Sequence, residues 1–246
     1  MRNTILVALF FLGSCISPRS TVVEELEVTT NLAGRGNALL VEITQGKAYN
    51  HPSLAVWAED LEGNYLETLF VTQYVARGIY GHGQLGPGKW DNKAGAARRP
   101  ATLPYWAHKR NVKAPDGLFI PSPENPVPDA LTAATPEGSF RLHSRLTGSR
   151  EARFRILLEI NQAWDANAFW TNGRFPGDND YFGSLQPSLV YAGVIDPAHP
   201  EETVFLNPIG HGHPSGRDGH LYTDLTTLTT AREILHSVRV NIKPQP

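Results

Sequence analysis

Residues 53–72 constrain the fold more than any other stretch, because they predict a hairpin of two β-strands. The runs Ser53–Glu59 and Tyr65–Thr72 are rich in Val, Trp, Leu, Phe and Thr, which suit the pleated surface of a sheet. The intervening Asp60–Asn64 ends in Gly and Asn, two residue types that tolerate the positive φ of a tight reversal. Apolar residues are dense in both runs, so both faces of the hairpin are expected to be partly covered. We predict a core hairpin of an antiparallel sandwich.

Alternating apolar and polar residues predict further strands. In Ala38–Gln45 and Ala152–Asn161 apolar side chains recur at every second position, which is the period of a half-buried strand. Gly34–Asn37 has the composition of a turn between strands, and Thr147–Arg150 is expected to close a second hairpin. The remaining predicted strands are Glu25–Thr30, Phe140–Leu146, Gln186–Ile195, Thr203–Leu206 and Val238–Ile242. The fold class predicted from these patterns is an all-β antiparallel sandwich.

Residues 78–138 form a long segment without a clear strand period. They are rich in Gly and Pro, and Gly81–Gly88 contains too much glycine for regular structure. A loop of this length is uncommon unless it has a function or is disordered. Its aromatic residues argue against disorder, because so much aromatic surface is normally buried. We therefore expect an ordered flap that lies across the sandwich.

Residues 224–235, which follow a histidine-rich stretch at residues 210–220, allow two interpretations. Asp224 is a suitable N-cap for a short helix whose apolar face would hold Leu225, Leu228, Ala231 and Leu235. The threonine-rich run Leu225–Thr230 would also suit a strand. We favour one short C-terminal helix.

The first residues have the features of an export signal. Arg2 supplies a positive charge, and Ile5–Leu12 is an apolar run shorter than the roughly 20 residues that a membrane span requires. The following Leu12–Cys15 resembles the signal of bacterial lipoproteins, in which the cysteine thiol is lipidated and becomes the new N-terminus. Cys15 is the single cysteine of the chain and lies where that signal requires it. An ordinary cleaved signal peptide with an incidental cysteine is the alternative.

These features divide the chain into a lipoprotein signal at residues 1–15, a tether at 16–23 and a single sandwich domain at 24–246 with the insertion 78–138. A lipid would make the membrane a partner of the N-terminus and would hold the domain at the bacterial envelope, in the periplasm or at the outer membrane. The mature chain would contain no free thiol and no disulfide, so packing alone would stabilise it. The formal net charge is -2 without a basic run, which gives no electrostatic case for a nucleic-acid partner.

Three spaced blocks carry a family resemblance: the hairpin 53–72, Arg98–Arg110 and Pro128–Phe140. They occur in the same order in domain of unknown function family 2271, a group of predicted bacterial periplasmic proteins. The chain resembles a lipoprotein version of that family from roughly Ala38 to Asn161. The resemblance implies an extracytoplasmic address and an immunoglobulin-like β-sandwich, and it implies no settled activity.

Asp129–Thr135 resembles the flavinylation motif of bacterial FMN-binding domains, Asp-x-x-Ser/Thr-Gly-Ala-Thr. In those domains a flavin transferase esterifies the last threonine with FMN, so Thr135 would be the acceptor and Asp129 part of the recognised sequence. Ala133 stands where glycine is usual, and this restricts the backbone. The resemblance implies covalent FMN as a cofactor, with a flavin transferase and an envelope redox system as partners. A plain loop of small residues across an apolar surface is the alternative.

Gly210–Asp224 places three histidines in one glycine-rich loop. His211 and His213 are two positions apart, so on an extended backbone their imidazoles point to the same side. His220 or Asp218 would supply a third ligand and leave an open position on Zn or Cu. The spacing matches no metalloenzyme signature, and a hydrogen-bonded loop whose histidines bind backbone carbonyls is the alternative.

Trp164–Phe182, the aromatic loop, mixes aromatic side chains with carboxylates and amides. Aromatic faces beside Asp and Asn suit a sugar ring, which stacks through its C–H faces and binds polar groups through its hydroxyls. Asp178 and Asp180 would instead suit calcium, although this loop alone offers fewer oxygens than the 6–8 that calcium takes. We favour a third interpretation, a loop that plugs one end of the sandwich with its own aromatic residues.

The sequence contains no Gly-x-Ser-x-Gly elbow, Walker loop, dinucleotide fingerprint or His-Glu-x-x-His motif. We therefore predict an extracytoplasmic binding or carrier module, an accessory of an envelope redox system, rather than a stand-alone enzyme. The alternatives are a metal-binding protein that uses the histidine loop and a structural or carbohydrate-interaction module that uses the aromatic loop.

Overall fold

The computed structural model describes residues 26–243, so the predicted signal, the tether and Cys15 lie outside the described residues. The strands are β1 Leu26–Thr29, β2 Ala38–Gln45, β3 Ser53–Glu59, β4 Tyr65–Thr72, β5 Ile79–Tyr80, β6 Gln84–Gly86, β7 Lys89–Trp90, β8 Gly95–Ala96, β9 Thr132–Ala133, β10 Phe140–Arg145, β11 Phe154–Asn161, β12 Leu189–Ile195, β13 Val204–Phe205, β14 Asn207–His211 and β15 Leu235–Lys243. The helices are α1 Gln73–Arg77, α2 Pro104–Arg110 and α3 Asn179–Phe182, with 3₁₀ turns at Asp129–Leu131 and Thr230–Glu233. Within this range no helix is long and apolar enough to cross a membrane.

Two sheets pack face to face. One has five strands in the order β1-β10-β2-β15-β13, and the other has six in the order β14-β12-β11-β3-β4-β9. Neighbouring strands are antiparallel except at two sheet edges, where β1 runs parallel to β10 and β9 runs parallel to β4. The prediction of an all-β sandwich is confirmed, and the hairpin β3–β4 has its predicted bounds. The immunoglobulin-like connectivity stays a prediction.

The inner core lies between the two sheets and follows the period of two. On β11 the residues Phe154, Ile156, Leu158 and Ile160 are buried in the same core as Leu39, Val41 and Ile43 of β2. Their neighbours on each strand point to the opposite faces. The alternation in the sequence therefore indicates correctly which residues of these strands face the partner sheet.

The outer face of the six-stranded sheet carries a core of its own. Trp57 of β3 and Leu157 of β11 are buried there beneath the flap, which contributes Leu103, Trp106 and Ile120 among others. All seven residues of β3 are buried as a result. This two-sided burial explains why the hairpin sequence is densely apolar instead of strictly alternating.

The predicted hairpin around Thr147–Arg150 is wrong, because β10 and β11 belong to different sheets. β10 pairs with β1 and β2, whereas β11 pairs with β3 and β12. The segment Gly34–Asn37 does not close a β1–β2 hairpin either. A Cβ on Gly36 would lie 2.2 Å from the carbonyl oxygen of Gly148, so this glycine permits two connecting segments to pass in contact. Turn composition marked the chain reversals but did not identify the strand partners.

Two local predictions also need correction. Within Gly81–Gly88 and just after it, β6 and β7 form a small hairpin where no regular structure was expected. The expected C-terminal helix and its alternative strand are both absent between residues 224 and 235, which contain only a 3₁₀ turn before β15. The Asp224 carboxylate accepts hydrogen bonds from the backbone and hydroxyl of Thr226 and closes a tight turn instead. Leu228 and Ala231 still reach the inner core.

Two adjacent leucines of β11 test the double burial of the sheet. Leu157 lies in the outer core and Leu158 in the inner core, and both are 0% exposed. Leu157→Ala and Leu158→Ala are each expected to lower the free energy of unfolding by about 2–5 kcal/mol in urea denaturation, because each leaves a cavity in a packed core. A Leu157→Ala variant as stable as wild type would show that the flap does not cover this face.

Candidate functional site

A cavity of about 250 Å³ lies where the flap, the sheet ends and the aromatic loop meet. Its walls include Tyr80, Trp90 and Arg99 from the flap, Ser53 and Asn161 from the ends of β3 and β11, and Asp180 from α3. Aromatic surface and polar groups are therefore present together, as is usual in small-molecule sites.

Two neighbouring arginines of the flap have different roles. Arg98 donates to both carboxylate oxygens of Asp116, at 2.5 and 3.0 Å, and to the carbonyl oxygens of Ile120 and Pro121. These bonds neutralise its charge and fix the flap segment that enters the cavity wall. Arg99 is left without such a partner.

The Arg99 guanidinium lies over two aromatic rings, with its central carbon 4.5 Å from the centroid of Tyr80 and 4.8 Å from that of Trp90. Its hydrogen bond to protein is a long one, 3.4 Å, to the carbonyl oxygen of His82, and its Nε is buried without a partner. Among residues 26–243 no carboxylate lies within 4.0 Å of it, and burial lowers its pKa. A half-buried cation thus faces the cavity, held by two aromatic contacts and one long hydrogen bond.

Two tyrosines line the same wall. The Tyr80 hydroxyl is buried beside the Thr102 side chain, and burial raises its pKa, so it remains protonated. The Tyr74 hydroxyl lies 3.0 Å from the Ser53 hydroxyl, and burial raises its pKa as well. Tyr80 therefore contributes its ring, and not its hydroxyl, to the cavity surface.

The backbone is strained around the cavity. Outside glycine, positive φ occurs in the described chain at Asn31, His51 and Asn111, residue types that tolerate it, and at Trp164 and Leu185, which tolerate it poorly. His51 has a φ of 47° and lines the cavity. Trp164 and Leu185, at 62° and 73°, flank the lining residues Ala163 and Ser184. Such strain persists where the surrounding structure enforces it, and it clusters at binding sites.

The short helix α3 forms the wall opposite the flap. Asp178 caps it by accepting from the backbone of Tyr181, and it also accepts from Ser215 and Arg217 at 2.7 Å each. Burial opposes ionisation of Asp178, but these hydrogen bonds and the Arg217 charge outweigh burial and lower its pKa. Asp178 is therefore a structural cap, and the calcium alternative loses one of its two carboxylates.

The predicted flavin site lies beside α1, where Thr135 lines a depression together with Tyr74 and Arg77. Asp129 is exposed and pairs with Arg77 at 3.0 Å. The Thr135 hydroxyl oxygen is buried beside Tyr74. The Thr135 side chain lowers the pKa of Tyr74 and so partly offsets the increase that burial causes. Esterification with FMN would require this hydroxyl to turn outward, so covalent FMN at Thr135 stays a prediction that the geometry does not favour.

The predicted metal ligands do not assemble into one centre. His211 stacks on Tyr222 with ring centroids 5.4 Å apart, and its Nδ1 bonds the Gly212 carbonyl at 2.7 Å. His213 Nδ1 accepts from the backbone of Ser215, whereas His220 and Asp218 interact with each other at the surface. Within residues 26–243 no group of three His, Cys, Asp or Glu side chains suits a metal ion. The arrangement matches the hydrogen-bonded loop given as the alternative.

The aromatic loop folds onto itself and into the inner core. Trp170 and Tyr181 are buried there, whereas Phe169 and Phe175 stay exposed. Arg174 lies over the Phe169 ring with its central carbon 3.6 Å from the centroid, which keeps the loop compact.

Two buried glutamates escaped the sequence analysis. Glu159 of β11 accepts from the backbone of Tyr105 and Trp106, at 3.2 and 2.7 Å, and from the Ser188 hydroxyl. It thereby binds the first turn of α2. Glu59 of β3 accepts from Trp57 and from Arg155 at 2.9 Å each, and it lies 3.5 Å from Lys109 in the last turn of α2.

The glutamates escaped notice because they sit at outward positions of their strands, where a charged residue is ordinary when the outer face is exposed. The flap's aromatic residues were the available signal that this face is covered. With the face covered, a Glu there must be paired.

Glu159 should make stability depend on pH. Burial raises its pKa from 4.5 to about 7 in the folded chain, because the three hydrogen bonds only partly offset desolvation. Stability from the protonated form is present below pH 4.5 and is lost as the pH rises through 7. Relative to Glu159→Gln, which cannot ionise, the wild-type free energy of unfolding is expected to fall by about 3 kcal/mol across this range. The free energies of unfolding of wild type and Glu159→Gln are measured by urea denaturation. A difference between them that is constant from pH 5 to pH 8 would contradict a raised pKa of Glu159.

Comparisons with protein-family models, with curated proteins and with solved structures gave no match to this chain. The resemblance to domain of unknown function family 2271 therefore stays a prediction.

Proposed function

We propose that the cavity binds a small organic anion, such as a carboxylic acid, and that the protein acts as a binding or carrier module. The observation that carries the proposal is Arg99, a half-buried guanidinium that faces the cavity without a carboxylate partner among the described residues. A cation removed from water is costly unless an anion compensates it. A ligand carboxylate would compensate it and form charge-assisted hydrogen bonds.

The other lining groups support a small acid over a neutral sugar. Arg99 offers N–H donors to the cavity and has no protein carboxylate among the described residues, so the ligand group beside it must be rich in acceptors. Tyr74 and Tyr80 offer apolar ring surface beside these donors. The volume of about 250 Å³ lies below the ~300–1,000 Å³ of drug-sized pockets, which restricts the ligand to a compact molecule.

The proposed cellular location of this module rests on the sequence alone. The lipoprotein-like Leu12–Cys15 supports an extracytoplasmic, lipid-anchored protein of the bacterial envelope. An accessory role in an envelope redox system follows only from the flavinylation-like motif at Asp129–Thr135 and belongs to the same proposal.

Arg99→Gln is expected to weaken binding of 3-phenylpropanoate and 4-methylpentanoate by at least about tenfold in isothermal titration, because the charge-assisted bonds are lost. Arg110→Gln is the matched control: Arg110 also lies over an aromatic ring, 4.8 Å from the Trp106 centroid, but does not line the cavity. The neutral 3-phenylpropanamide should bind weakly to every variant. Equal binding of the acid by wild type and Arg99→Gln, or equal binding of acid and amide, would refute the proposal.

The substitution Cys15→Ser tests the proposed lipid anchor and, with it, the proposed cellular location. Cells that express the full chain and are fed a clickable fatty acid should label wild type and leave Cys15→Ser unlabelled, because the serine hydroxyl cannot form the thioether. Intact mass should show a wild-type chain that begins at residue 15 and carries lipid. An unlabelled wild-type protein would leave the ordinary cleaved signal peptide as the account.

A further inference from the structure

Asp180 faces the same cavity as Arg99 and is also unpaired. It belongs to α3 and lines the cavity together with Asn179. Among residues 26–243 no donor hydrogen-bonds its carboxylate, and no cation lies within ion-pair distance of it. Burial, and then the charge of Asp178, raise its pKa. The wall opposite the flap therefore presents an acceptor without a protein donor.

The position of this carboxylate relative to the flap is fixed. Asp178 ties the start of α3 to Ser215 and Arg217, so it cannot also serve the cavity. Asn179 contacts the turn between β6 and β7, where a Cβ on Gly88 would lie 2.8 Å from its Oδ1. Arg99 packs on Trp90 of that same small hairpin. One unit thus holds both Arg99 and Asp180 in place.

Several other polar groups of the cavity bond to the protein. Arg98 is neutralised by Asp116, and Asn161 donates to the Ala101 carbonyl and the Ser184 hydroxyl. The Nδ1 atoms of His51 and His82 lie 3.0 Å from oxygen atoms of Asn50 and Asp91. Arg99 and Asp180 are consequently the charged groups of the cavity that a ligand can engage, and they do not pair with each other.

We propose that the ligand is a zwitterion of the amino-acid class, whose carboxylate binds Arg99 and whose ammonium group binds Asp180. This inference rests on the proposed function, because Arg99 has the same role in both. Asp180 is exposed at the rim of the cavity, so a simple acid would compensate Arg99 and leave this carboxylate to water. An amino acid would pair with both charges at once. The apolar part of the ligand would lie against Tyr74, Ala101 and Ala163.

Isothermal titration at pH 7 with matched probes tests the inference. Phenylalanine and 3-phenylpropanoate form one pair, and leucine and 4-methylpentanoate the other, so that each pair differs only in the amine. Wild type is expected to bind the amino acid roughly two- to fivefold more tightly than the acid, because an ion pair with an exposed carboxylate contributes less than the amount that changes Kd by one decade. Asp180→Asn should remove this preference and retain binding of the acids. Arg99→Gln should bind neither the acids nor the amino acids.

Asp196→Asn is the control, since Asp196 lies outside the cavity, in the connection that follows β12. If the acids bind wild type as tightly as the amino acids, the inference that the ligand is a zwitterion is wrong and the proposed anion site remains. A preference for the amino acid that survives in Asp180→Asn would overturn the role of Asp180. Absence of binding by all four probes would overturn both proposals.

Discussion

Burial of both faces of the six-stranded sheet is the constraint on which the rest of the structure depends. The inner face of β3 and β11 packs on the partner sheet, as in any sandwich. The outer face holds Trp57 and Leu157, and so much apolar surface in water would be unfavourable. The flap covers it, so a segment with little regular structure is held by the free energy of that burial. The flap is for this reason part of the core and not a peripheral loop.

Covering this face puts two carboxylates out of reach of water, and their pairing fixes the flap. Glu159 binds the backbone at the start of α2, and Glu59 interacts with Lys109 near its end. Apolar contacts alone would let a short helix slide over a flat sheet, whereas buried charges are satisfied in one position. The chain just before α2 includes Ala101 and Thr102, which line the cavity. The glutamates therefore position the cavity wall without entering the cavity.

Several features that normally destabilise a protein occur together around the cavity. Arg99 has no counter-charge among the described residues, its Nε has no partner, and Trp164 and Leu185 have backbone conformations that their side chains disfavour. Each feature costs free energy in the empty protein. Their concentration around one small cavity is what a binding site requires, since a ligand recovers the polar part of that cost.

The sequence by itself determined most of the long strands of the two sheets. A period-two pattern predicted β2, and β-rich runs on either side of a turn predicted β3 and β4, each with its observed bounds. Both signals depend only on residues that are neighbours in the chain. Only the tertiary structure decided that β10 and β11 enter different sheets, because a turn signal records that the chain reverses and not which strand it meets. The same limit applies to the site. The histidines and aspartates that are adjacent in sequence were visible as motifs, and the fold directs most of them to structural hydrogen bonds. Arg99 and Asp180 are far apart in the chain, and only the packing of the flap and α3 over the sheet ends brings them to one cavity.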